Sequence, residues 1–410
     1  MKHNMRHLQV LLLELVSLSL FSCYGYDDSE RDANTANCVN INIYVPRSTV
    51  TTRADEGTTP GTDAENALHK TCIWIYENDG GDDGLPIAFA ERDLSGLADA
   101  DGKYTVQVPL PASTIMEQKP VDVFVVANVE AISTATFPTN ITRSQLLQVD
   151  FGHAGSADNF GVTTPTGATA IGTGLPMSDY VLDQNIYTNN EINSNGVSLS
   201  LKRAVSKIRF VFARNTGIVG VSVTGVTLDG SVIPTSEYVF PAKTVLDAAG
   251  SLERTPNLPA DVTYEASTTP CATTTLQTAS IIASDNPASL VFQALSASET
   301  GTDYVSRLDQ ALTDNLADDN LTSAQTYGLT YLRESDKVIS GTISYRMDGD
   351  TEDTEDHTRT FTMQQPYDFT RNHYYIVYGY FTGDAKLEVV CVYISNWTNG
   401  GNDSHEVYNW

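Results

Sequence analysis

The chain has 410 residues, of which 41% are hydrophobic, enough to build real cores in two domains of ordinary size. Its 20 tyrosines and 13 phenylalanines, set among many threonines and valines, lean towards β structure. A formal net charge of −27 argues against a nucleic-acid partner, because nothing in the balance would neutralise phosphates, and it would keep an extracellular protein soluble.

The N-terminus carries an address. Lys2, His3, Arg6 and His7 form a basic head, and Leu8 to Leu20 is largely apolar although Glu14 interrupts it. The stretch ends in LFSC, a pattern that resembles a bacterial lipobox in spite of the bulky Phe21. Cleavage before Cys23 would leave its thiol to carry a lipid; a plain secretory signal is the other reading. Asp27, Asp28 and Glu30 then make an acidic tether. No other segment reaches the length of an apolar membrane span, so attachment is expected through lipid alone.

Next comes CVNINIYVPRSTVTTRA, residues 38 to 54. Val39, Ile41, Ile43 and Val45 alternate with Asn40, Asn42 and Tyr44, the period of a strand with one buried face. Pro46, a Ser/Thr run, Arg53 and the acidic, Gly-rich ADEGTTPGTD follow, with too little apolar surface to fold and every reason to be open to proteases. Two uses fit this arrangement: an ordinary first strand with a flexible loop, or a strand built to be cut away after Arg53. In the second case each lost aliphatic side chain leaves behind about 1.5 to 3 kcal/mol of burial for a replacement strand to recover.

From Lys70 onward the pattern is a run of short strands with turn punctuation. TCIWIYEN (71 to 78), LPIAFAERDL (85 to 94) and KYTVQVPLP (103 to 111) are separated by turns, and the nearly continuous apolar run VDVFVVANV (121 to 129) has the character of a central strand. A short helix is expected at 144 to 151, then a long surface loop from 152 to 174. VSLSLKRAVSKIRFVF (197 to 212) is the longest strand-like pattern and, with a bend in its middle, is expected to bridge two domains. Strands continue at 217 to 230, 236 to 241, 280 to 284, 289 to 295, 326 to 335 and 338 to 347. The acidic run 348 to 357 forms a hairpin tip before 359 to 365 and 373 to 381. LEVVCVYISNW (387 to 397) is apolar on both faces, with Leu387, Val389, Cys391 and Tyr393 on one of them, and HEVYNW ends the chain. Such a strand wants cover on both sides. It can be the last strand of its own sandwich, or it can be supplied to another molecule by strand addition.

Catalytic constellations are missing. The seven histidines form no metal pair on a helix, no nucleophile elbow or phosphate loop occurs, and the five cysteines include no C-x-x-C spacing. Cys72 and Cys391 read as buried small hydrophobes, His373 as structural, and the acidic runs as solvated tips rather than calcium loops. No enzyme activity, metal or cofactor is expected.

Taken in order, LFSC at Cys23, TTRADE around Arg53, Pro176-Met177, LKRAVSKIRF (201 to 210), YVFP (238 to 241) and FTRNHYY (369 to 375) ahead of the terminal VYISNW resemble the fimbrillins of Bacteroidales, the shaft subunits of lipoprotein-derived pili. The resemblance implies an all-β fold of two transthyretin-like Greek-key β-sandwiches in tandem. It also implies a precursor carried as a lipoprotein to the outer membrane, cut by a trypsin-like or arginine-specific protease, and polymerised by donor-strand exchange with copies of itself and other pilus subunits, in support of adhesion and biofilm formation. By position, 1–22 is the signal peptide, 23–53 the lipidated propeptide with the removable strand, 54–196 and 197–384 the two sandwiches, and 385–410 the donor region. Arg53 and Ala54 flank the scissile bond, Arg47-Ser48 being too close to a held strand. The alternatives are an uncut surface lipoprotein, either a pilus anchor or tip subunit, and a glycan-binding β-sandwich protein. Trp74, Trp397 and Trp410, the only tryptophans, make a poor platform for sugars.

Overall fold

The computed structural model describes residues 37–45, 63–78, 84–98, 102–111, 118–132, 135–152, 174–188, 191–242, 256–266, 269–272, 275–283, 326–350, 356–363, 369–382, 386–396 and 406–409. They form an all-β protein of two sandwiches in tandem. In the first half the elements are β1 (Cys38–Tyr44), α1 (Asp63–Asn66), β2 (Lys70–Glu77), β3 (Ala88–Asp93), β4 (Lys103–Pro109), β5 (Val121–Ala127), α2 (Arg143–Leu147), β6 (Asp150–Gly152), β7 (Met177–Gln184), β8 (Tyr187–Thr188), β9 (Glu191–Ile192), β10 (Val197–Ser200) and β11 (Lys202–Arg203). The second half holds β12 (Ser206–Arg214), β13 (Val221–Leu228), β14 (Ser236–Tyr238), β15 (Thr269–Ala272), β16 (Leu276–Gln277), β17 (Ile282–Ala283), β18 (Thr326–Leu332), β19 (Ser340–Met347), β20 (His357–Thr362), β21 (His373–Phe381), β22 (Leu387–Asn396) and β23 (Glu406–Asn409).

The first sandwich faces a three-stranded sheet, ordered β10-β1-β4, against a five-stranded one, ordered β11-β7-β5-β2-β3. Alternating aliphatic residues of both sheets fill the space between them, among them Ile41, Ile43, Val106, Leu199, Ile73 and Val123. The five-stranded sheet is covered on its other face as well, where its Trp74, Tyr76, Phe124 and Tyr180 pack under α2, β6 and residues of the second half. Double cover explains why all seven residues of β5 are buried, as the apolar run at 121 to 129 suggests.

The second sandwich pairs the sheet β17-β12-β21-β22-β23 with the sheet β15-β13-β19-β20 around Phe210, Phe212, Val223, Ile343, Phe361 and Phe381. β19 and β20 form the expected hairpin with an acidic turn, where Asp356 accepts hydrogen bonds from Arg346 Nε at 2.5 Å and from Thr224.

Two expectations need correction. Val197 to Leu201, assigned to the start of the second sandwich, belong to the first: β10 runs parallel to β1 with Ile41 opposite Val197, and the Leu201 amide donates to the Tyr44 carbonyl at 2.9 Å. The sandwich changes only where β11 gives way to β12, so the long 197 to 212 pattern does bridge the halves. The expected helix at 144 to 151 is shorter. It is capped by Thr142 and Gln145 in a reciprocal box and ends at Leu147, and Phe151 lies instead in β6. The expected loop at 152 to 174 and strand at 289 to 295 fall almost wholly outside the described residues.

Candidate functional site

β1 sits in the middle of its sheet. All seven of its residues pair with β4, from Cys38 opposite Pro109 to Tyr44 opposite Lys103, and Ile41 to Tyr44 pair with β10 on the other side. Val39, Ile41 and Ile43 have no exposed surface and Val45 retains 6%. The four residues read from the sequence as one apolar face are therefore brought together in one slot of the first core. Their burial is worth about 6 to 12 kcal/mol, taken at 1.5 to 3 each. Such a figure is of the order of a whole domain's net stability, so a slot emptied of β1 could not stay empty cheaply. The opposite face is polar: the Asn40 side-chain amide donates to the Ser194 carbonyl at 3.0 Å, and that of Asn42 to the Asn195 carbonyl at 2.8 Å.

Where the chain resumes after β1, it is held by separate means. Glu65 of α1 is buried and pairs with the equally buried Lys207 of β12, Nζ to Oε1 at 3.1 Å, while the Tyr331 hydroxyl donates to the same oxygen. Arg203 donates through Nε to the Glu65 carbonyl at 3.3 Å and through Nη2 to Asn66, and its backbone amide donates to Asn372 Oδ1 at 3.2 Å. Taking charges out of water is costly, and a site of this kind is stable only when the partners and hydrogen bonds are all in place.

A second charged knot lies nearby. Arg371 donates through Nη1 to the Val239 carbonyl at 2.7 Å and through Nη2 to Glu334 Oε2 at 3.0 Å, and the Glu334 amide donates to Glu237 Oε2 at 2.8 Å. Arg371 stands 3.8 Å from Glu237, whose other oxygen has no hydrogen-bond partner among the described residues. Burial therefore pushes the Glu237 carboxyl up to about 8, while Glu334 is the partner that holds the guanidinium. Strand β6 of the first half pairs with β14 of the second beside this knot. The Ala204 amide donates to the Pro176 carbonyl at 2.8 Å, the Ser178 hydroxyl to the Val239 carbonyl at 2.7 Å, and the Asn372 amide to the Val205 carbonyl at 2.9 Å. The four internal motifs singled out in the sequence, around Pro176, Arg203, Val239 and Arg371, thus meet in one place, the seam between the sandwiches. Their role there is to join the halves. Sequence reasoning missed the charges in this seam, and the one signal for them was the two lysines and two arginines embedded in the apolar pattern 201 to 210.

The remaining sites fall as follows. Cys23, Arg53 and Ala54 lie outside the described residues. Leu387, Val389, Cys391 and Tyr393 are on β22, which lies in the second sandwich between β21 and β23, not in the β1 slot. Leu387 is buried beside Phe212, against the space a side chain at Gly379 would occupy. Of the region 385–410, assigned as the donor region, β22 and β23 are in this single chain the last strands of its own sheet. Cys72 is a buried strand residue, and burial, followed by the nearby Glu91, pushes its thiol up to about 12. His373 is buried, with Nδ1 near the Thr370 hydroxyl and the Arg371 carbonyl. Trp74 has no exposed surface and donates to the Pro138 carbonyl at 3.0 Å, so it offers no face to a ligand.

This geometry defines the class: a two-sandwich β-protein whose first strand is central, apolar and flanked by separately anchored chain. No protein-family model and no curated protein matches the sequence. Among solved structures, the chain is similar to a candidate cell adhesion protein from Parabacteroides distasonis, at 13% identity and a TM-score of 0.50 over 89% of this chain and 99% of that one. It is also similar to a candidate cell adhesion protein from Bacteroides eggerthii, at 14% identity and a TM-score of 0.48 over 89% and 98%. A third is the tip fimbrial protein Mfa3 from Porphyromonas gingivalis, at 12% identity and a TM-score of 0.44 over 88% and 100%. The first of these likenesses establishes a shared fold.

Proposed function

We propose that the protein is a structural, non-enzymatic subunit of a cell-surface pilus of the fimbrillin kind, made as an outer-membrane lipoprotein anchored through Cys23 and activated by cleavage after Arg53. The observation that carries this reading is the placement of β1. It fills the centre of a sheet, its covalent link to everything that follows runs through residues 46 to 62, and the chain beyond is pinned independently by Glu65. Cutting within that connection would free one strand and leave the seam untouched. An arginine-specific or trypsin-like protease would do so at Arg53-Ala54. The slot so opened calls for an apolar, alternating strand, and β22 within Leu387 to Trp410 of another subunit has that character, with Leu387, Val389, Cys391 and Tyr393 as the buried set. Mass action among copies and related subunits would then build a polymer by strand addition. The adhesive and fimbrial descriptions of proteins with this fold are in keeping with such a role.

The test is mild trypsin digestion of the full precursor, followed by N-terminal sequencing and native sizing. A stable product beginning at Ala54 that grows into a ladder of multimers, with the ladder lost in Arg53→Ala, is the expected result. General degradation, or a clean cut that leaves a permanent monomer, would point instead to an anchor subunit or a glycan-binding lipoprotein.

A further inference from the structure

The apolar face of β1 cannot by itself fix where the strand sits. Val39, Ile41, Ile43 and Val45 are all β-branched aliphatics, so a slip of two residues along the slot would present nearly the same face to the core. The polar face is specific where the apolar one is not. Residues 193 to 196 form a tight turn in which Asn193 Oδ1 accepts from the Asn195 amide at 2.9 Å and the Gly196 amide donates to the Asn193 carbonyl at 3.1 Å. The turn is itself fixed to the sandwich by the Asn193 amide, which donates to the Ile186 carbonyl at 2.7 Å. The carbonyls of its two central residues, Ser194 and Asn195, receive the side-chain amides of Asn40 and Asn42. Asn42 also accepts from the Thr105 hydroxyl of β4 at 3.0 Å, so it ties the strand to both flanks. Gly196 faces Asn40 one place before the parallel ladder begins; it has φ of +66°, and a Cβ there would lie 2.0 Å from the Asn40 carbonyl oxygen.

We propose that the 193 to 196 turn is a register latch that reads the two strand asparagines, so that the slot holds its own first strand in preference to one lacking them. The inference rests on the strand-exchange reading and names a control upon it. In LEVVCVYISN no side-chain amide stands two residues from another: its single amide, Asn396, shares one face with Glu388, Val390, Val392 and Ile394, and the other face carries Leu387, Val389, Cys391, Tyr393 and Ser395. An incoming β22 therefore cannot offer the turn the pair of side-chain amides that β1 does. The latch keeps the uncut chain closed to invasion in the right register, and after cutting it sets how slowly β1 departs.

Amide hydrogen exchange on the full, uncut chain tests the latch without any need for cleavage. With Asn40→Val and Asn42→Val together, protection of residues 38 to 44 falls about tenfold, as expected for two neutral hydrogen bonds, while the second sandwich is unaffected. Gly196→Ala has the same local effect from the turn's side. A synthetic peptide copying residues 36 to 46, offered to the trypsin-cut protein, binds about tenfold more tightly than the same peptide with valine at both asparagine positions. Unchanged protection in the double variant, or equal binding of the two peptides, overturns the latch even where the wild type forms its ladder. Reduced protection in a protein that never polymerises supports the latch and sinks the polymerisation reading.

Discussion

The β1 slot and the seam between the sandwiches solve opposite problems with opposite materials. In the slot, most of the hold on one strand comes from aliphatic side chains and a backbone ladder that any alternating apolar strand could supply, with Asn40 and Asn42 adding a polar tie to the 193 to 196 turn. In the seam, Glu65, Lys207, Arg203, Glu237, Glu334 and Arg371 hold two domains through ion pairs and hydrogen bonds whose geometry admits no substitute. Hydrophobic burial is non-directional and transferable, whereas a buried charge is tolerable only with its own partner. A protein that had to exchange one element while keeping the remainder intact would be built with this division.

Breaking the seam should have the largest effect. Lys207→Met strands the Glu65 carboxylate in a dry site, and the expected loss is about 3 to 5 kcal/mol, seen as a lower denaturant midpoint in which both sandwiches unfold. A loss under about 1 kcal/mol would show that the seam does not depend on this pair. Ile41→Ala acts on the slot and should cost about 2 to 5 kcal/mol through the cavity it leaves, with hydrogen exchange accelerated in β1 first and the second sandwich spared; acceleration spread evenly over both sandwiches would contradict the separation drawn here.

A pH series sharpens the contrast further. The carboxyl of Glu237 is raised from 4.5 to about 8 by burial, so the folded form binds the proton more tightly than the unfolded one. Stability contributed by the protonated group is fully present below about 4.5 and is lost as pH rises towards about 8. Glu237→Gln should flatten this part of the stability profile, and an identical slope in the variant would remove Glu237 as its source. The smallest expected change is Thr142→Ala, which removes the cap of α2 and should cost about 1 kcal/mol, measurable as a small shift in thermal midpoint.

The sequence carried the slot more legibly than the seam. Alternation of Val39, Ile41, Ile43 and Val45 with asparagines is a local signal, and the continuous run at Val121 to Ala127 announced a strand covered on both faces. The polar partners of Asn40 and Asn42 lie on a turn more than a hundred residues away and left no local trace. Lys207 and Arg203 interrupt an apolar pattern, which marks them as unusual, yet nothing adjacent names Glu65 or Asn372 as their partners. The boundary between sandwiches was misplaced for a related reason: β10, β11 and β12 follow one another with almost no break, and only pairing shows that the first two belong with β1 and β7.

The short pairing of β6 with β14 acquires a different meaning once subunits are imagined end to end. Ser236 to Tyr238 run antiparallel to Asp150 to Gly152, one strand from each half, so their hydrogen bonds cross the join itself. In a filament linked through a slot in one sandwich and a strand from the other, every pull along its length has to pass through each subunit from half to half. The β6–β14 ladder, flanked by the Arg371 knot, is then a brace: it shares that load with the continuous chain from β11 into β12 and keeps the two halves from hinging about it.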